Sequence, residues 1–101
     1  RYNKMDRKLT FKDITIDTEN QTVTKAGKHI ELTPKEFELF AILVRNKNIT
    51  LFREKIYEEI WGTEYSVESR TLDLHIQRLR KKLDIGDSLK TVFKAGYRLE
   101  E

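Results

Sequence analysis

The chain has 101 residues, 38% hydrophobic and 37% charged, with no cysteine and a formal net charge of +3. That size supports one domain with a modest core and a heavily charged surface. Lack of cysteine excludes disulfides and thiolate metal sites, and no apolar run approaches the ~18 residues of a membrane span. No signal-peptide pattern is visible, so a reducing, cytoplasmic setting is the simplest expectation. The charge is unevenly placed. Residues 1–68 hold twelve Lys/Arg and twelve Asp/Glu, whereas residues 69–98 hold eight Lys/Arg against three acids. A localised basic excess suggests a polyanionic partner more than general solubility.

Residues 1–8 (RYNKMDRK) are polar without period and read as a linker ahead of a domain spanning 9–101. LTFKDITID alternates, with Ile14 and Ile16 on one face, and reads as a strand. TENQ is a turn candidate. TVTK, AGK and HIEL read as strand, turn, strand around Gly27, so the pairing is antiparallel. The period then changes. In LTPKEFELFAILVRNKN, Thr33 is an N-cap, Pro34 opens the helix and Glu36 completes a capping box. Phe37, Phe40, Ala41 and Val44 form its buried stripe, widened by Leu43. REKIYEEIWG is a shorter helix with Ile56, Tyr57 and Ile60 inward, Gly62 as its stop, and Trp61 in the core or at its rim.

After the polar loop TEYSVES comes RTLDLHIQRLRKKL. Leu72, Ile76, Leu79 and Leu83 make one helical stripe. The opposite face carries Arg70, Leu74, Gln77, Arg78 and Lys81, so a leucine stands in a basic surface. LKTVFKAGYRLE closes the chain as a hairpin turning at Lys94, Ala95 and Gly96. The expected fold is α+β: an N-terminal antiparallel sheet, three helices and a C-terminal β-hairpin wing. That outline is a winged helix-turn-helix, whose third helix enters the major groove of DNA.

The stretches LTPKEFELFAILVRN, REKIYEEIWG, SRTLDLHIQRLRKKL and KTVFKAGYRLE resemble the OmpR/PhoB-type effector domain of bacterial two-component response regulators. With the leading strands the likeness covers residues 9–100. It implies sequence-specific binding of double-stranded DNA and control of transcription, with no enzyme activity and no cofactor. It also implies a phosphorylatable receiver domain upstream, head-to-tail pairs on tandem half-sites, and a contact to RNA polymerase from the loop 62–69, with Glu64, Tyr65 and Glu68 as candidates. Two positions depart from the family pattern. Phe52 replaces a helix-capping serine, so that either Thr50 takes over the cap or the helix starts loosely. The resemblance places the wing at the flanking backbone or in the minor groove, but Phe93 and Lys94 replace an arginine that can enter the minor groove and the glycine after it, which counts against minor-groove reading and leaves Lys94 to reach the backbone instead.

Arg78 is the leading base reader, since arginine bonds bidentately to guanine O6 and N7. Gln77 pairs with adenine or stays solvated. Leu74, flanked by Arg70, Arg78 and Lys81, suits a thymine methyl. Arg70 and Thr71 open the helix and suit phosphates. His75, Arg80, Lys81, Lys94 and Arg98 are further backbone candidates, with Arg98 equally readable as surface charge. Asp73 orients a nearby arginine. Tyr97 packs at the base of the hairpin. An enzyme is the weaker alternative: His29 and His75 lie in separate elements and there is no Gly-rich phosphate loop. An RNA module would need exposed aromatics on a sheet, and a protein-docking winged helix would not need the basic third helix.

Overall fold

The computed structural model describes residues 7–62 and 70–101. Its elements are β1 (Lys8–Phe11), β2 (Ile14–Asp17), β3 (Thr22–Lys25), β4 (Lys28–Ile30), α1 (Pro34–Arg45), β5 (Leu51–Phe52), α2 (Arg53–Ile60), α3 (Thr71–Leu83), β6 (Leu89–Val92) and β7 (Gly96–Leu99). The N-terminal strands form an antiparallel sheet in the order β1-β2-β3-β4, and the C-terminal ones a second sheet ordered β5-β7-β6. The winged-helix outline expected from the sequence is the fold.

The run 9–17 is a hairpin rather than one strand. Lys12 and Asp13 make its turn, and Phe11 pairs with Ile14 and Leu9 with Ile16. The alternation changes phase at this two-residue reversal, with Leu9 and Phe11 inward before it and Ile14 and Ile16 after it, because partnered residues share a face. Lys12 sits at φ 55, where glycine would be the usual signal. The turn is held from outside. The Lys12 amide donates to Glu101 Oε2 at 3.0 Å, and its ammonium donates to Ser88 Oγ at 2.9 Å.

The inner face of this sheet packs on α1, where Phe11 meets the Phe40 ring edge-on at 6.5 Å. The capping box forms as read: the Glu36 amide donates to Thr33 Oγ1, and the Thr33 amide to Glu36 Oε1. Phe37, Leu39, Phe40, Ala41, Leu43 and Val44 are all buried. That band is wider than the expected stripe because α1 is central, with the sheet on one side and the other helices on the other.

β5 is a strand with no sequence signal. It pairs with β7, Leu51 with Tyr97 and Phe52 with Gly96. The start of α2 has no side-chain cap, and Thr50 does not supply one. Its hydroxyl accepts from Arg98 Nη1 at 2.7 Å instead. The hairpin does the capping, because the Arg53 amide donates to Ala95 O at 3.0 Å. At its far end α3 stops at Asp84 in the left-handed region, φ 55, and Lys25 of β3 donates to Leu83 O. Among the described residues no helix is long and apolar enough to cross a membrane.

A Cβ on Gly96 would lie 1.9 Å from Leu51 O and 2.9 Å from its carbonyl carbon. Gly96→Ala must therefore push β5 off β7 and lift the α2 start from its cap. We expect a loss of about 3 kcal/mol in urea unfolding, at the strained end of single substitutions. A change below about 0.5 kcal/mol would show that β5 moves aside freely.

Candidate nucleic-acid interface

α3 is divided cleanly. Leu72, Ile76, Leu79 and Leu83 are fully buried, while Arg70, Leu74, Gln77, Arg78 and Lys81 are exposed. Leu74 is 53% exposed, so it is a surface leucine and not a core residue. The helix start carries no side-chain cap of its own. In its place the Tyr57 hydroxyl of α2 accepts from the Leu72 amide at 3.0 Å. A buried phenol thus fixes the first turn of α3, a role that no local motif announces.

Asp73 joins three elements. Its Oδ1 accepts from Arg53 Nη1 of α2 at 2.6 Å and from the Tyr97 hydroxyl of β7. The arginine it was expected to orient is Arg53. Burial alone would raise the Asp73 carboxyl, but the bonds from Tyr97 and Arg53 outweigh it and hold the acid below its ordinary value. Burial also raises Tyr97, with its bond to the Asp73 carboxylate adding to the effect, and the phenol moves from 10.0 to about 12.

The remaining sequence candidates divide by their engagements. Arg80 Nε and Nη2 donate to Leu89 O at 3.0 and 2.7 Å, and Nη2 also donates to Thr91 Oγ1. Arg80 is therefore a staple between α3 and β6. Arg98 is held by Thr50 and Glu100. Lys82 donates to Glu36 Oε1 at 2.6 Å and ties α3 to the start of α1. Burial pushes the Glu36 carboxyl up, but the Lys82 and Thr33 bonds bring it below its ordinary value. His75 Nδ1 lies 2.8 Å from Thr71 O, and its ring meets Trp61 edge-on at 5.0 Å. A carbonyl only accepts, so Nδ1 carries the proton and a neutral ring has no donor at Nε2. Thr71 and His75 are half-buried on the flank of α3. Glu64, Tyr65 and Glu68 lie outside the described residues.

The wing turn, residues 93–95, carries Phe93 and Lys94 into solvent. Lys94 occupies φ 59, and its ammonium stands 5.5 Å from the centroid of the Phe93 ring. The basic face of α3 and the cationic wing are thus parts of one rigid surface, tied by Asp73 and Arg80.

Residues 27–99 match the family model described as "Transcriptional regulatory protein, C terminal". The chain belongs to that family. It is a winged-helix effector domain of the OmpR/PhoB type. It is 42% identical over 90 residues to the uncharacterized transcriptional regulatory protein YclJ of Bacillus subtilis, and 36% identical over 97 residues to ResD of the same organism. These alignments cover 86% and 91% of this chain but 40% of each relative, so the chain spans about two fifths of their length. Among solved structures, the Klebsiella pneumoniae RstA DNA-binding domain in complex with the RstA box superposes with a TM-score of 0.85 at 28% identity, covering 93% of this chain and 97% of that one. The DNA-binding domain of CpxR from E. coli gives 0.84 at 26% identity, covering 93% and 96%. The Thermotoga maritima response regulator DrrB gives 0.82 at 32% identity, with 94% of this chain on 45% of that one.

The raised Tyr97 pKa fixes the sign of an alkaline effect. A phenol ionising at 10.0 unfolded and at about 12 folded stabilises the fold fully below pH 10, and that contribution is lost as pH climbs through 12. Tyr97→Phe should cost about 1 kcal/mol at pH 7. The gap between the two proteins should close as unfolding is measured from pH 10 upward. A constant gap over that range would mean that the hydroxyl carries no such coupling.

Proposed function

We propose that this effector domain binds double-stranded DNA sequence-specifically and regulates transcription as the output half of a phosphorylation-controlled response regulator. The observation that carries the reading is the exposed face of α3. Arg70, Leu74, Gln77, Arg78 and Lys81 lie together on a helix whose other side is core. Such a helix fits the major groove and places the hairpin on flanking DNA. The likeness to RstA, solved in complex with its box, supports the same placement. Leu74, Gln77 and Arg78 are the base readers. Arg70, Thr71, Lys81 and Lys94 meet phosphates, with Arg80 and Arg98 beside them, and His75 joins them only as the imidazolium, which has a donor at Nε2. With Nε and Nη2 engaged, a phosphate contact by Arg80 falls to Nη1.

The longer relatives support an upstream receiver domain. Its phosphorylation would favour head-to-tail pairing on tandem half-sites, and the loop holding Glu64, Tyr65 and Glu68 would meet RNA polymerase. The setting is the cytoplasm, and the domain carries no catalytic role.

If about five phosphates are neutralised per domain, log affinity should fall with log salt at a slope of about −4.5. The probe is a duplex selected by this chain from a random pool, and a slope near zero would overturn the electrostatic part. On that duplex Arg78→Ala should relax preference at one base pair by roughly 1–3 kcal/mol. Equal weakening on all sequences would make Arg78 a phosphate clamp.

Leu74 has its own readout. Leu74→Ala should lose the preference for thymine over uracil at one position, leaving the salt slope and the melting temperature in place. Retention of that preference would remove Leu74 from the base readers.

A further inference from the structure

Phe93 is 83% exposed, against 58% for Ile49, 57% for Phe52 and 53% for Leu74, the other large apolar side chains in solvent among the described residues. At that exposure it adds almost nothing to the core. It is nevertheless presented from a fixed turn. The Ala95 amide donates to Val92 O at 3.0 Å, Ala95 O accepts from the Arg53 amide at 3.0 Å, and Val92 pairs with Gly96. The stretch 88–99 holds Lys90, Lys94 and Arg98 and no acid. Arg80 and Asp73 hold this hairpin against one flank of α3.

We infer that Phe93 is an apolar wedge of the wing, entering the minor groove beside the α3 contact and selecting A·T pairs there. This rests on the DNA-binding reading above and extends it to a residue that carries neither charge nor a hydrogen-bonding group. The minor groove is about 6 Å wide and admits a ring edge-on, and apolar side chains are known to lodge between its base steps. Lys94, 5.5 Å from the ring centroid, sets a cation where the groove wall carries phosphate. A rigid turn loses little freedom on docking. The selectivity follows from the groove itself. A·T pairs show only acceptors there, whereas G·C adds the guanine N2 amine. A phenyl ring would strip water from that amine and return no acceptor. Among all-A·T steps, TA, which unstacks most easily, should be favoured.

The test uses the duplex selected by this chain, with flanking A·T pairs changed to G·C or to inosine·C. Inosine keeps the major-groove pattern of guanine but lacks the N2 amine. Wild type should bind the G·C duplex about tenfold more weakly and recover on inosine·C. Phe93→Ala should bind the parent duplex more weakly, treat all three flanks alike, and keep the wild-type salt slope and melting temperature. Phe93→Arg should regain the A·T preference and steepen the slope by about one. Equal weakening on G·C and inosine·C, or an unchanged flank preference in Phe93→Ala, overturns the inference while leaving DNA binding intact. Failure of wild type to select any duplex sinks the DNA-binding reading itself, and the inference with it.

Discussion

The relative position of α3 and the wing depends on one carboxylate. Asp73 accepts from Arg53 at the start of α2 and from Tyr97 in the middle strand of the second sheet. Charge-assisted bonds of this kind are worth roughly twice a neutral one. The carboxylate is 40% exposed, so solvent takes back part of that value. What remains matters less as stability than as geometry. Two bonds to one oxygen from different elements leave little freedom in the angle between helix and hairpin. Seven residues later, Arg80 adds a second bridge from the same flank to Leu89 and Thr91. The proposed reading of DNA in two grooves needs such a fixed angle, since displacement of either part would lose contacts of both.

The same elements are capped by one another rather than by themselves. α1 has its own capping box and a buried band that meets the N-terminal sheet. α2 and α3 have no side-chain cap, with Phe52 and Arg70 at those positions. Their first-turn amides are satisfied by Ala95 O and by the Tyr57 hydroxyl. An eight-residue helix such as α2 is marginal alone. It persists because the wing and α3 hold it, and α3 starts where it does because α2 supplies a phenol. α2, α3 and the wing thus depend on one another for their helix starts, whereas the start of α1 is capped within its own sequence.

What was legible in the sequence follows from range. The capping box of α1 and the stripe of α3 are local patterns of three to eleven residues, and both appear in the fold as read. The surface position of Leu74 was legible for the same reason, since a helix with one apolar stripe cannot bury its opposite side. The reversal at Lys12 and Asp13 left only a one-residue slip in the alternation between Phe11 and Ile14, and neither turn residue is glycine. β5 was hidden because two residues carry no period. The jobs of Arg80, Lys82 and Tyr57 were hidden for another reason. Each is decided by a partner nine to 46 residues away, and the side-chain type alone does not say whether a cation faces solvent or a carbonyl.

The wing turn makes two separate demands on its residues, and the chain meets them differently. At position 96 the obstacle is steric, since any Cβ would collide with Leu51 O, and glycine is the residue present. At position 94 the demand is only a positive φ of 59. A non-glycine residue meets that at a cost of about 1–2 kcal/mol. Relative to glycine, part of the cost returns through the smaller entropy of the unfolded chain. Lysine at 94 is therefore affordable where lysine at 96 would not be. The strain brings a cation beside the Phe93 ring at the most exposed point of the hairpin. One more lysine adds little to the solubility of a chain with twenty Lys/Arg. Paired with a phenyl ring on a fixed turn, it makes a surface suited to the narrow, anionic-walled groove proposed for it.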